Sequence, residues 1–381
     1  MWLLIQMIKI LHVITGLSTG GAENMLLKLI SSTTVTSNIK IVGVVSLLDK
    51  GTIGPKIEAL GVPVFELNMK RGLPAPWHLV KLAKIIHKSN TDVIQSWMYH
   101  ANLAATLAAA MIGKNCVIWN IRHCLHDYKN EKFLTRLMIK LGSILSRYPK
   151  KIIFNSSVSL SKHVEVGYRE NQSLVIPNGF DVSLFRKYQN NSIFSQLNLP
   201  DSVIIVAIFG RYDVIKDHKN FFIAMSQVLV HTNNVIALAV GNGVDNENRA
   251  IVSQIEELGI SDRVYLIGER QDVCKIMSAC TIIVNSSKSE AFPNVIGEAM
   301  ACEVTCVVTN VGDSSILLEE NGKVVPPNDS TALANAILSL LELTIEERSK
   351  IGSCARKRIV ENYSIDKISE CYCNLYNSIA G

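Results

Sequence analysis

What most constrains this chain is a pattern that starts twice. Short β-branched runs alternate with amphipathic helical stretches, stop at a polar segment, and begin again. Such alternation builds parallel sheets, because parallel neighbours need a crossover long enough to carry the chain back along the sheet. The first series predicts strands at 8–14, 39–47, 62–67, 92–97, 116–121, 150–155 and 173–176, with helices at 21–31, 76–89, 100–112, 130–147 and 156–167 between them. The irregular segment RKYQNNSIFSQLNLPDS, 186–202, marks the domain boundary, and VIIVAIFG, 203–210, opens the second series. That series predicts strands at 203–209, 234–240, 263–267, 280–284, 304–308 and 323–325 and helices at 217–231, 246–259, 271–278, 293–302, 329–342 and 345–361, with a last helix at 364–379. Two βα series of similar length mean an α/β protein of two Rossmann-like domains.

Composition agrees with large cores: 48% of the 381 residues are apolar and 19% are charged, which excludes disorder for the bulk of the chain. Apolar runs are broken at Lys9, Lys114 and Lys140, so none reaches the length needed to span a bilayer. The start, MWLLIQMIKILHVIT, lacks the basic lead and small-residue cleavage site of a signal peptide and is read as a buried strand. Either Met1 or Met7 serves as the natural start. The nine cysteines include no C-x-x-C pair, which fits neither a disulfide framework nor a zinc site and points to a reducing compartment. Charge is divided unevenly. Residues 1–180 carry 21 Lys and Arg against 9 Asp and Glu, while residues 181–381 carry 17 against 24. The basic front half suits anionic lipid, nucleic acid or a phosphorylated substrate, and the acidic back half argues against a nucleic-acid groove along the whole chain.

In open parallel sheets, ligands sit beyond the carboxyl ends of the strands. GLSTGGAEN, 16–24, follows the first strand, and Gly20 and Gly21 would let backbone N–H groups approach a phosphate, unless the loop is only a turn. Its poor match to G-x-G-x-x-G disfavours a nicotinamide cofactor. FGRYDVIKDHKN, 209–220, follows the first strand of the second series, where Arg211 and Lys216 can converge on one diphosphate or stand as solvated surface charges. NSSKSEAFPNVIGEAMA, 285–301, is the strongest constellation: Glu290 in a loop, Pro293 at a helix start, the N–H groups of Asn294 and Val295 facing an anion, and Glu298 further along the helix. Cations and N–H donors for phosphate, with carboxylates for hydroxyls, describe a nucleotide sugar.

The E-x7-E segment, GRYDVIK, the GGAEN loop and SLVIPNGFDVSLF, 173–185, in this order, resemble the retaining group 1 glycosyltransferases of GT-B architecture, over essentially the whole chain. The resemblance implies two Rossmann-like domains facing across a cleft, the second holding the donor and the first the acceptor, often at a membrane surface. It implies that Arg211 and Lys216 bind the donor diphosphate, Glu290 the transferred sugar and Glu298 the ribose. Phe292, Pro293, Asn294 and Val295 would line sugar and phosphate through their backbone, Gly20 and Gly21 would approach the diphosphate from the other domain, and Arg270 joins the donor set. VIPNGFD, 175–181, looks like the family's interdomain crossover, so the domains are taken as 1–181 and 182–362, with 363–381 packing back on the first. Two positions depart from the family. Glu303 stands where glycine is usual, which would alter that turn locally, and Arg122 stands where many relatives carry a sugar-contacting histidine. Arg122 is open to three readings: recognition of an anionic group, replacement by His123 after a one-residue shift, or a structural salt bridge. His100 either faces the cleft or packs on Tyr99 or Trp97. The catalytic set is therefore Glu290, His100 and Arg122, with no metal and no cofactor.

The basic stretch 129–151 carries Lys129, Lys132, Arg136, Lys140, Arg147, Lys150 and Lys151 against an apolar side that lies on an anionic membrane or packs on the sheet. The expected activity is transfer of a hexose or N-acetylhexosamine from a nucleotide sugar, UDP-linked by expectation, to a glycan or lipid-linked acceptor in surface polysaccharide synthesis, in the cytoplasm or on the inner membrane face, with no nucleic-acid partner. A sugar-nucleotide epimerase and a non-catalytic sugar-nucleotide-binding partner are the competing readings.

Overall fold

The structure, a computed structural model, describes residues 7–36, 38–70, 75–125, 128, 131–188, 192–200 and 202–380. Met1 and Lys129 lie outside the described residues. The chain divides into two compact units, Met1–Gly179 with Ile365–Gly381, and Phe180–Ser364. No described helix is long and apolar enough to cross a membrane.

The first unit is built on β1 (Ile8–Ile14), β2 (Ile39–Ser46), β3 (Val64–Glu66), β4 (Val93–Trp97), β5 (Val117–Ile121), β6 (Lys151–Phe154) and β7 (Ser173–Val175), all parallel, in the order β3-β2-β1-β4-β5-β6-β7. The run IKILHVI forms β1 as a strand covered on both faces, apolar apart from Lys9 near its start and the buried His12. Ile10 and Ile14 face one core layer, and Leu11 and Val13 the other. Strand order reverses at β1, where Ile14 pairs with Ser46 on one side and Trp97 on the other. That reversal leaves a crevice beyond the carboxyl ends of β1 and β4.

The second unit repeats the plan with β8 (Ile204–Phe209), β9 (Val235–Val240), β10 (Val264–Leu266), β11 (Ile282–Asn285), β12 (Thr305–Thr309) and β13 (Gly322–Val325), in the order β10-β9-β8-β11-β12-β13. Its switch point lies between β8 and β11, where Ile208 pairs with Val284.

The structure corrects the boundary read at 186–202. That segment lies inside the second unit. Phe185 and Ile193 are buried in its core, and Phe180 stacks on Phe292 with centroids 6.1 Å apart. Polar composition misled because the segment's apolar anchors, Ile193 with Phe194, Leu197 and Leu199, are spaced among Asn, Gln and Ser. The helix Asn294–Ala301 passes close over Phe180, and any Cβ at Gly297 would enter that ring. The turn at Glu303 keeps a left-handed backbone, φ 63°, with the carboxylate 3.8 Å from Arg356.

The helix Ile365–Ala380 belongs to the first unit. It buries Ile368, Tyr372 and Tyr376, and polar contacts fix its position. The Tyr372 hydroxyl accepts from Asn120 Nδ2 at 2.9 Å, and Tyr376 donates to Gln95 Oε1.

Candidate functional site

In the second unit the loops after β8 and β11, which flank the switch point, are stitched together. Ser286 Oγ donates to the carbonyls of Lys216 and Asp217, each at 3.0 Å, and the Lys288 N–H donates to the Ile215 carbonyl at 2.8 Å. Lys288 Nζ is 3.3 Å from Asp217, whose backbone is left-handed at φ 50°. Within the first loop Asp213 accepts from the Ile215 N–H at 3.0 Å and from Arg211 Nε at 3.1 Å. That backbone bond first, and then Arg211, hold the Asp213 carboxyl below the usual carboxylate range.

At the centre, Lys216 Nζ lies 2.5 Å from Glu290 Oε1, and Ser287 Oγ donates to the same oxygen at 2.8 Å. Thr309 Oγ1 donates to the Ser287 carbonyl at 2.6 Å, so β12 steadies the serine that steadies the glutamate. The loop after β12 supports Glu290 from behind. Gly312 has φ 55°, and any side chain there would run into the carbonyls of Glu290 and Ala291. Ser287 and Gly312 were missed in the sequence, where a serine run and a lone glycine carry no signal of their own.

The other donor candidates fall into two groups. Asn294 and Val295 begin the helix Asn294–Ala301, with Pro293 as its N-cap and Glu298 one turn in, so the N-terminal end of that helix follows directly on the Glu290 loop. Phe292 is buried, and its ring packs on Phe180 and Tyr363. Arg211 and Lys216 share no carboxylate partner: Lys216 is paired with Glu290, while Arg211 is 71% exposed and paired with Asp213. Arg270 is held by both oxygens of Asp272 and by Gln196.

In the first unit Gly20 ends the loop after β1, and the helix Gly21–Thr36 follows. The Gly20 carbonyl accepts from Asn24 N and Nδ2, and the Glu23 side chain folds over Gly20 itself. Burial pushes the Glu23 carboxyl up. A carboxylate thus stands where a diphosphate was expected to approach, and it went unread because G-G-A-E scans as a glycine loop. His100 is the second residue of the helix Tyr99–Met111, beyond the end of β4, and burial lowers its pKa.

Arg122 follows β5 directly and turns into its own domain. Its Nε donates to Asn120 Oδ1 at 3.1 Å, its Nη1 to Asn178 Oδ1 and its Nη2 to the Tyr372 hydroxyl at 2.5 Å, with the Trp97 ring 5.1 Å away. His123 Nε2 is 2.7 Å from Glu131, so the two neighbours serve different partners. Among the described residues no group of three or more His, Cys, Asp or Glu side chains is placed to hold a metal ion.

Residues 203–343 match the sequence family Glycosyl transferases group 1, and residues 42–184 match Glycosyltransferase Family 4. The chain is similar to the N-acetyl-alpha-D-glucosaminyl L-malate synthase of Bacillus anthracis, 23% identical over 310 residues, 78% of each protein. It is also similar to the UDP-Gal:alpha-D-GlcNAc-diphosphoundecaprenol alpha-1,3-galactosyltransferase of Escherichia coli, 22% identical over 311 residues, 78% of this chain and 79% of that one. Among solved structures, Anabaena Alr3699/HepE in complex with UDP superposes with a TM-score of 0.85 at 23% identity, over 97% of this chain and 100% of the other. The fold is GT-B.

Proposed function

The chain is a glycosyltransferase in which a family 4 domain precedes a group 1 domain, and on that premise we propose that it moves a hexose or N-acetylhexosamine from a UDP-sugar to a lipid-linked or glycan acceptor, with retention of configuration. The observation that carries this reading is the Lys216–Glu290–Ser287 cluster at the switch point of the group 1 domain. Lys216 and the N–H end of the helix Asn294–Ala301 suit a diphosphate, and Glu290, freed from Lys216 when the phosphate arrives, suits the hydroxyls of the sugar. The bond from C1 of the sugar to the diphosphate breaks and one from C1 to the acceptor oxygen forms on the same face. The acceptor proton passes to the leaving phosphate oxygen, whose charge Lys216, Arg211 and the helix N-terminus stabilise. No protein nucleophile or metal is required.

The UDP bound to the Anabaena protein and the diphosphoundecaprenol acceptor named for the E. coli relative support the choice of donor and acceptor class. An acceptor of that kind sits in a membrane, which suits a peripheral enzyme at the cytoplasmic face. The test is a panel of UDP-, GDP- and ADP-sugars assayed for thermal stabilisation and then for transfer, with and without chelator. UDP-sugars should stabilise selectively, and chelator should leave the rate unchanged. Loss of activity with EDTA, restored by manganese or magnesium, would overturn the metal-free scheme, and donor turnover without acceptor or UDP release would mean an epimerase.

A further inference from the structure

A lysine ammonium has three donors but one charge, so a second anion at Nζ is repelled by the first. Lys216 already has one. Its Nζ lies 2.5 Å from Glu290 Oε1, with 27% of the lysine side chain and 14% of the glutamate side chain exposed, so water screens the pair only in part. The rest of the lysine is fixed. Its N–H donates to the Asp213 carbonyl at 3.0 Å, its carbonyl accepts from Ser286 Oγ at 3.0 Å, and its stem lies 3.5 Å from where a Cβ on Gly210 would stand. Only the outer torsions are left to carry Nζ from one partner to another.

Glu290 is held in a second way. The oxygen that meets Lys216 also accepts from Ser287 Oγ at 2.8 Å. Ser287 is 1% exposed and tied on both sides: its N–H donates to Asn285 Oδ1 at 3.0 Å, and its carbonyl accepts from Thr309 Oγ1 of β12 at 2.6 Å. One carboxylate oxygen therefore has a mobile donor and a rigid one. The two weaken each other, because both draw on the same negative charge, so the bond to Ser287 strengthens when the lysine departs.

We propose that Lys216 is a handover switch that couples the diphosphate half of the site to its sugar half, and that Ser287 is the positioning residue that keeps Glu290 in place when the lysine leaves. Without donor, Lys216 and Glu290 neutralise each other. A diphosphate carries more charge than a carboxylate and takes the ammonium. Glu290 then stays on Ser287 and is free to accept from sugar hydroxyls. The coupling is mutual: hydroxyls bound at Glu290 loosen its hold on Lys216 and so favour the diphosphate. Neither a nucleoside nor a free sugar supplies the anion that trips the switch, so the site selects a sugar joined to its diphosphate. The proposal rests on the reading of this cluster as a donor site and adds the ion pair that donor binding must break.

The test is calorimetric titration of the full-length protein with UDP, and with uridine as a ligand that lacks the phosphates. Because the ion pair opposes UDP binding, Glu290→Gln should bind UDP about three- to tenfold more tightly than wild type and uridine equally well. Repulsion between Glu290 and the phosphates alone would also give a gain, and a double-mutant cycle separates the two. In a Lys216→Met background there is no pair to break, so the gain from Glu290→Gln should be about threefold smaller than with the lysine present. Ser287→Ala should weaken UDP binding about threefold while Glu290 is present and leave it unchanged beside Glu290→Gln, whereas a serine that served only the fold would cost the same in both backgrounds. Ser287→Thr keeps the hydroxyl and should bind UDP as wild type does. No gain in Glu290→Gln, an equal gain with and without Lys216, or a Ser287→Ala cost that persists beside Glu290→Gln would overturn the handover and leave the donor reading standing. A wild type that binds no UDP would remove the donor reading and the switch with it.

Discussion

Arg122 Nη2 and the Tyr372 hydroxyl are 2.5 Å apart across 250 positions of sequence. The same guanidinium holds Asn178, the next-to-last residue before the chain enters the second unit, and Tyr372 lies on the helix by which the chain returns. Arg122 thus fastens the outgoing and returning segments to the end of β5. Arg122→Ala should lower the stability of the first unit by about 2–4 kcal/mol, because it removes charged hydrogen bonds to Asn120, Asn178 and Tyr372 together from a part-buried site. Urea unfolding followed by tryptophan fluorescence reads this unit, since Trp77, Trp97 and Trp119 lie in it and residues 180–364 include no tryptophan. A loss of transfer with unchanged stability would favour the catalytic reading of Arg122.

Glu290→Gln keeps the size of the side chain and removes the charge paired with Lys216. Transfer should fall by at least about a hundredfold, the range for a preorganised polar group at a reacting centre, while the thermal midpoint barely moves. Activity within about threefold of wild type would remove Glu290 from the site.

For UDP affinity, Lys216→Ala should cost about 1.5–3 kcal/mol, the range for charged hydrogen bonds. Arg211→Ala should cost less, since its guanidinium is 71% exposed and already paired with Asp213. Calorimetric titration of UDP separates the two. Equal and negligible losses would place both cations on an inert surface.

Three buried histidines give a sign to the pH dependence. Burial lowers His12 to about 3, and His163 and His218 to about 4, from an unfolded value of 6.5. Each is neutral when folded and binds a proton when unfolded below 6.5, so stability is present above that pH and is lost as pH falls toward the folded values. The loss approaches about 1.4 kcal/mol per pH unit for each histidine. His12 and His163 are in the first unit and His218 in the second, so the tryptophan-monitored transition should weaken more steeply between about pH 6.5 and pH 5 than a probe placed in the second unit. A flat profile over that range would mean that these rings are already charged in the folded protein.

Glu303 occupies a left-handed turn at φ 63° that a side chain strains. Glu303→Gly should leave stability unchanged or raise it by up to about 1 kcal/mol, and Glu303→Val should lower it by about 1–2 kcal/mol. Thermal unfolding of both variants checks the order, and a valine variant as stable as the glycine one would mean that the turn relaxes.

Both switch-point loops were legible because periodicity reveals strands, and a parallel sheet puts its chemistry after them. The apolar runs of β8 and β11 therefore led directly to Lys216 and Glu290. Partner choice was not legible. Arg122 at a strand end was left open between an anion-binding role, replacement by His123 and a structural salt bridge, and only the return of residues 365–380 to β4 and β5 brings Tyr372 to its guanidinium. Glu23 was hidden for a related reason, since nothing local tells whether a first-turn carboxylate swings out to water or folds over the glycine before it. The segment 186–202 misled because one buried anchor, Ile193, with part-buried Phe194, Leu197 and Leu199 packed on the same core, outweighs the polar residues around it.

The helix Ile365–Ala380 also sets an order of events during synthesis. The second unit is contiguous and can close as soon as it leaves the ribosome, but the first unit, although made earlier, waits for this last helix. Until then Gln95 and Asn120 lack the hydroxyls of Tyr376 and Tyr372, and the apolar face over β1 and β4 stays open to water. The half of the protein that is translated first is the half that finishes folding last, and a ribosome stalled before residue 365 would display an uncovered core for chaperones to find.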